Sequence, residues 1–280
     1  MPGQRIVGLS ADGGMALIAV YDHHWPGTTR LHLIVQVVDF EAQQYQIIDT
    51  IRCPAVVHVP MCQTQSLAYI RADDFVRALV IAAADSLESA DTVITGNWLD
   101  STNLWLFDVE SATYDPTDSI LAYSDSYGVC VRKISRGKGA AVPLRATEGF
   151  ADLPAFSSDC SLVTMTATEP QHEELDFDNQ ICSYDVQRDS LSVVLSCHGC
   201  RYSAQQLAAD RWVYFIREGK RGWPSVWRYK PHEGQEHVAS FEYPYYIGMF
   251  RVTERGVYCV LQDIRTEPQA TKNVIIIPNE

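Results

Sequence analysis

Apolar positions along this chain fall in short runs that end at turn-forming residues. Residues 31–38 read Leu-His-Leu-Ile-Val-Gln-Val-Val, 104–107 Leu-Trp-Leu-Phe, 212–216 Trp-Val-Tyr-Phe-Ile and 273–277 Asn-Val-Ile-Ile-Ile. Runs of this length, rich in β-branched and aromatic side chains, predict strands. No long segment sustains apolar residues at i, i+3, i+4 and i+7, the spacing an amphipathic helix requires. Residues 74–84 fit a helix best, but the run at 75–82 reads equally as a buried strand. The pattern predicts an all-β protein.

The strands recur as a unit. A small or polar residue, any residue and an acid make a tight turn, an apolar strand follows, and a partner strand comes after a variable loop. The turn occurs as Ser10-Ala11-Asp12-Gly13, Arg71-Ala72-Asp73-Asp74, Pro116-Thr117-Asp118-Ser119, Ser157-Ser158-Asp159-Cys160, Ala208-Ala209-Asp210-Arg211 and Val252-Thr253-Glu254-Arg255. The acids are 61, 45, 41, 51 and 44 residues apart, near the ~40–50 residues of a four-stranded propeller blade. The turn has a physical basis: Asp accepts a hydrogen bond from the backbone two residues on, and the next residue takes positive φ. A lone blade cannot bury both of its faces, so blades must stack. Stacked around an axis, they leave only short, protected edges.

Residues 154–163, Pro-Ala-Phe-Ser-Ser-Asp-Cys-Ser-Leu-Val, followed by Ile181-Cys182-Ser183-Tyr184-Asp185-Val186, resemble a blade of the TolB-type, WD-repeat-like propellers. Leu9-Ser10-Ala11-Asp12-Gly13-Gly14 matches the same turn. The resemblance implies a β-propeller, and the repeat divides it into a single domain of six blades, with seven as the alternative count, at about 4–53, 54–114, 115–149, 150–199, 200–241 and 242–280. The last blade is expected to be incomplete, because it ends after a third strand. The segments at 86–91 and 100–103 are expected to bound a surface insertion in a long second blade.

Charge narrows the partners. The 280 residues carry 35 acids against 22 bases, a formal net charge of −13. Such a surface repels phosphate backbones and anionic membranes, so neither nucleic acid nor membrane is expected as a partner. It suits a basic protein partner. The opening Met1-Pro2-Gly3-Gln4-Arg5 leads into a short apolar stretch broken by Asp12-Gly13-Gly14, without a cleavage-like site, so a cytoplasmic location is expected. The eight cysteines are then expected as reduced thiols, several of them buried.

Motifs that could carry chemistry are sparse. Cys197-His198-Gly199-Cys200 lacks the second ligand pair a zinc site needs. The acidic stretch at 173–179 does not have EF-hand spacing. Ser10-x-Asp12-x-Gly14 also fits the Asp-box turn of sialidases, but no arginine cluster of that family is in place. There is no Gly-x-Ser-x-Gly elbow. No catalytic residue, no cofactor and no metal site is therefore expected. His23 and His24, in a loop after a strand, are candidate ligand-binding residues. Trp223, Trp227, Tyr245 and Tyr246, with Arg221 nearby, form a candidate partner-binding patch, since aromatics and Arg are enriched at binding hot spots. The main expectation is a non-enzymatic, protein-binding propeller. The alternative is a hydrolase, lyase or small-ligand binder that uses polar groups at the mouth of the central channel. A deep central pocket with converging His, Asp or Arg of perturbed pKa discriminates in favour of the alternative.

Overall fold

A computed structural model describes residues 4–22, 32–39, 44–51, 56–62, 66–72, 75–82, 90–134, 144–145, 150–169, 178–198, 201–218, 223–242, 245–253, 255–263, 265 and 271–278. The chain folds into six antiparallel meanders. Blade one holds β1 (Gln4–Leu9), β2 (Met15–Asp22), β3 (His32–Asp39) and β4 (Gln44–Ile51). Blade two holds β5 (Val56–Val59), β6 (Leu67–Ala72), β7 (Val76–Ala82) and β8 (Ala90–Asn97). Blade three holds β9 (Ser111–Asp115), β10 (Ile120–Asp125), β11 (Gly128–Lys133) and β12 (Leu144–Arg145). Blade four holds β13 (Phe150–Phe156), β14 (Leu162–Glu169), β15 (Asp178–Asp185) and β16 (Ser190–His198). Blade five holds β17 (Arg201–Leu207), β18 (Val213–Glu218), β19 (Pro224–Lys230) and β20 (Gly234–Ser240). Blade six has three strands, β21 (Tyr245–Thr253), β22 (Gly256–Asp263) and β23 (Thr271–Ile277).

The first strand of each blade is innermost. β1 packs on β5, β5 on β9, β9 on β13, β13 on β17, β17 on β21, and β21 returns to β1. The arrangement is the propeller that the repeat predicts. Its core is a set of wedges between neighbouring blades rather than one central mass. Leu17 and Tyr69 share the wedge between blades one and two, Ile70 and Tyr114 that between two and three, and Val131 and Met165 that between three and four. Ile181 and Phe215 belong to the wedge between four and five, and Tyr214 and Val257 to that between five and six. The wedge between six and one is thinner, with Leu9, Ala16 and Tyr258 as its buried members among the described residues. Central strands are covered on both faces, which is why they read as continuous apolar runs. All eight residues of β22 are buried.

The acid turn joins the first and second strands in blades one, four and five, with one bonding scheme throughout. The Gly13, Cys160 and Arg211 N–H groups donate to the Ser10, Ser157 and Ala208 carbonyls at 3.1, 2.9 and 3.1 Å. The acid accepts the N–H two residues on: Gly14 to Asp12 at 3.0 Å, Ser161 to Asp159 at 3.1 Å and Trp212 to Asp210 at 3.1 Å. The residue after each acid is left-handed, with φ of 73° at Gly13, 58° at Cys160 and 72° at Arg211.

Four local readings are corrected. Residues 104–107 are not a strand but part of a 3-10 helix, Leu104–Asp108. Leu106 is buried against blade two, and Arg77 Nη1 donates to the Leu106 and Val109 carbonyls at 3.1 and 3.2 Å. Residues 112–114 belong to β9, so blade two ends before 114. The expected insertion contains β8, the blade's outermost strand. Lastly, Asp73 lies outside the described residues, and the strands on either side of it, β6 and β7, are the second and third of their blade. The first connection of blade two, 60–66, has no acid and carries Cys62 instead. In blade three Asp118 is exposed, and Asp115 accepts the Thr117 N–H at 2.9 Å.

The thiol reading is corrected as well. Cys62 and Cys160 form a disulfide with Cα atoms 5.9 Å apart, joining blade two to blade four across blade three. Cys130, Cys182 and Cys259 are buried thiols outside that disulfide. Among the described residues no helix is long and apolar enough to cross a membrane.

Candidate ligand site in the central channel

The six innermost strands enclose a cavity of about 690 Å³ on the propeller axis. Its wall is largely apolar, with Val7, Val57, Leu153, Pro154, Ile247 and Phe250 among its lining residues. Side-chain bonds tie the blades together along this wall. Thr113 donates to the Pro60 carbonyl at 2.9 Å, Phe156 N–H donates to Thr113 Oγ1 at 3.3 Å, and Val252 N–H donates to Gln206 Oε1 at 2.8 Å.

Two ionisable side chains in this wall stand out. Arg251, near the end of β21, is 3% exposed. Its Nη2 donates to the Met61 carbonyl at 2.6 Å, while Nε and Nη1 are buried without a hydrogen-bond partner. Burial lowers its pKa to about 10, and the charge of Asp12 opposes that fall only in part. His58 is the single ring in the apolar strand β5, and its Nε2 is buried without a partner. Burial, and then the Arg251 charge, hold the imidazole well below its ordinary pKa, so it is neutral at neutral pH. Both groups line the cavity.

The backbone makes room for them. β1 shifts register between Ile6 and Gly8, and β21 between Ile247 and Met249. Bulges of this kind re-aim side chains near functional sites. A Cβ at Gly8 would overlap the His58 imidazole, so only glycine lets blade two's histidine lie against blade one. Arg251 reaches past the same strand from blade six to Met61 in blade two. The cluster therefore sits where the ring closes.

This arrangement can hold an anion. A guanidinium stripped of water, with two N–H-bearing nitrogens free, suits a carboxylate or phosphate oxygen. A neutral imidazole beside it adds one hydrogen-bonding nitrogen without competing charge. A second donor cluster lies beside the wall: Cys62, Asp115 and Cys160 bring their sulfurs and a carboxylate oxygen within 4.8 Å of one another.

The residues singled out from sequence are placed differently. His23, His24 and Arg221 lie outside the described residues. Trp223 is exposed, at 39%. Trp227 is half-buried; its Nε1 donates to Ser225 at 2.9 Å and its ring meets His237 edge-on. Tyr245 is half-buried against the core of blade six, and the Tyr246 hydroxyl donates to Gln262. A different exposed group exists in blade two, where Phe75, Trp98 and Leu99 are 51%, 60% and 75% exposed. Neither Arg251 nor His58 stood out in the sequence. The available signal was one charged or imidazole residue inside an otherwise apolar strand, Val56-Val57-His58-Val59 and Met249-Phe250-Arg251-Val252.

Fold and cavity together define a small β-propeller with a polar cluster in its channel. No protein-family model and no curated protein sequence matches the chain. Solved structures do match. The β-propeller domain of the Trilobed protease from Pyrococcus furiosus matches with a TM-score of 0.58 and 8% identity, over 99% of this chain and 86% of that one. A putative TolB from Agrobacterium tumefaciens matches with a TM-score of 0.53 and 12% identity, over 90% and 89%. An acylaminoacyl peptidase from Pyrococcus horikoshii matches with a TM-score of 0.56 and 9% identity. That match covers 93% of this chain, which spans about half, 49%, of the peptidase. The likeness is one of fold, TolB-like in architecture.

Proposed function

We propose that the channel binds a small organic anion with an apolar body, Arg251 pairing with its charge and His58 with a neighbouring polar group. The observation that carries this reading is the Arg251 guanidinium, almost fully buried with Nε and Nη1 unpartnered. Burying a charge without its counter-ion costs several kcal/mol, roughly, and an anionic ligand removes most of that penalty. The cavity volume suits a ligand of metabolite size, and its apolar wall suits a hydrocarbon or aromatic body. The test is calorimetric titration of the full chain with aliphatic and aromatic carboxylates and phosphate monoesters. Binding by at least one class, lost in Arg251→Met, is the expected result. Failure of every class, or equal binding by the variant, overturns the proposal.

Protein binding is the second reading, and one observation favours it. The Trp98 N–H donates to the Phe75 carbonyl at 2.9 Å, holding Phe75, Trp98 and Leu99 together on the outside of blade two. Exposed apolar groups of this size accompany partner surfaces. A Trp98→Ser/Leu99→Ser variant that keeps channel binding but loses a partner recovered by cross-linking supports this reading.

A further inference from the structure

Three side chains from three consecutive blades meet beside the channel wall. Cys62 lies in the first connection of blade two, Asp115 ends β9 in blade three, and Cys160 occupies the β13–β14 turn of blade four. One ligand atom from each, two sulfurs and one carboxylate oxygen, all lie within 4.8 Å of one another. Cys62 and Asp115 are buried and Cys160 is half-buried.

The disulfide accounts for the two cysteines but not for the acid. Asp115 is 2% exposed, and among the described residues its side chain is met by the Thr117 N–H at 2.9 Å and faces two uncharged sulfurs. A buried carboxylate is normally paired with a cation or several donors. Two thiolates and a carboxylate around one point form a donor set that suits zinc and discriminates against calcium and magnesium, which take oxygen alone. Asp115 ends a strand, Cys160 sits in a hydrogen-bonded turn, and Cys62 follows Met61, which bridges to Tyr114, so reduction of the disulfide leaves the three donors close together.

We propose that, once reduced, the chain holds one zinc-class divalent cation on Cys62 Sγ, Cys160 Sγ and a carboxylate oxygen of Asp115, with water in the fourth position. The site has two states. An external dithiol breaks the Cys62–Cys160 bond, passing two electrons to the protein sulfurs and closing its own disulfide; both protein sulfurs end as thiols. The cation then forms two metal–sulfur bonds and releases the two thiol protons. Cys62 lines the same cavity as Arg251, but the test below reads metal–thiolate bonds and does not depend on anion binding.

The experiment is a Co²⁺ titration of the full chain kept reduced with a phosphine. A thiolate-to-cobalt charge-transfer band that saturates at one equivalent and is bleached by Zn²⁺ is expected. Cys62→Ser and Cys160→Ser each abolish the band, and Asp115→Asn keeps it while weakening affinity ~10-fold or more. A Cys197→Ser/Cys200→Ser variant leaves the band unchanged. Absence of a band in the reduced parent chain overturns the proposal, as does a band that depends on Cys197 and Cys200. Should the serine variants not fold, alkylation of the parent chain decides. Zn²⁺ then protects Cys62 and Cys160 in peptide mass spectra, and equal labelling with and without Zn²⁺ refutes the site.

Discussion

Replacing Arg251 with methionine tests whether the channel carries an unmet charge. A fall of the guanidinium pKa from 12.5 to about 10 corresponds to a penalty of about 3 kcal/mol on the charged form, at about 1.4 kcal/mol per tenfold change in the proton equilibrium. Methionine keeps most of the packing and removes that penalty, but it also removes the charged hydrogen bond to the Met61 carbonyl, with a net worth of about 1.5–3 kcal/mol. The balance is a small gain, roughly 0–2 kcal/mol, so the ligand-free variant should melt no lower than the parent, and up to about 4 °C higher. Adding the anion reverses the order. At one hundred times its dissociation constant it stabilises only the parent, by about 2.7 kcal/mol. The alkaline limb gives an independent check. The folded pKa lies below the unfolded one, so the penalty is fully present below pH ~10 and fades as pH rises from there toward the unfolded value. The parent therefore gains stability relative to the variant across that window. Urea unfolding of both proteins from pH 7 to 11 measures it. A loss of 3 kcal/mol or more in the ligand-free variant at pH 7 would refute the reasoning, because it means that the protein itself satisfies the guanidinium.

Other consequences are equally open to measurement. His58, neutral when folded, takes up a proton on unfolding below pH ~6.5. The parent should therefore lose stability relative to His58→Gln as pH falls through that value, and parallel urea midpoints from pH 7.5 to 5 will show it. Gly8→Ala should cost about 1–3 kcal/mol by overlap with the imidazole, and His58→Ala in the same chain should recover most of it, a coupling that a double-mutant cycle reads directly. Asp159→Ala should cost about 1–2 kcal/mol, since Asp159 accepts from Ser157 Oγ, Ser161 N–H and Ser161 Oγ, whereas Asp118→Ala should be neutral within about 0.5 kcal/mol in the same denaturation assay. Removing the disulfide as Cys62→Ser/Cys160→Ser should lower metal-free stability by about 2–4 kcal/mol, because the bond closes a loop with a sequence separation of 98; an unchanged urea midpoint in oxidised and reduced protein is the contrary result.

The architecture was legible because its main signal is local. The acid turns at Asp12, Asp159 and Asp210 are closed by hydrogen bonds between neighbouring residues, so they announce themselves in the sequence. The three-stranded last blade is legible as one apolar run before Glu254 and two after it. Segments whose state depends on distant partners were not legible in this way. The run at 104–107 has strand composition but becomes a 3-10 helix because Leu106 is buried on blade two and Arg77, 29 residues away, binds its carbonyl. Residues 71–74 carry the turn motif in sequence, yet they come at the end of the second strand of blade two and not of the first. The site was less legible still. Arg251 meets Met61 across a sequence separation of 190, and Cys62 meets Cys160 across 98. No spacing rule links such pairs, and each residue alone reads as an oddity in an apolar strand or as one more scattered thiol.

The two end strands of the ring, β1 and β23, belong to different sheets. Among the described residues no shared ladder buckles blade six to blade one, and the buried members of the wedge there are Leu9, Ala16 and Tyr258. Tension applied at the two ends of the chain would thus part the circle at that joint first. Arg251 spans the gap by gripping Met61 on the far side of blade one. Whatever occupies the channel beside that arginine would act as a clasp on the ring, and amide exchange in β1 and β21 should slow when it is present.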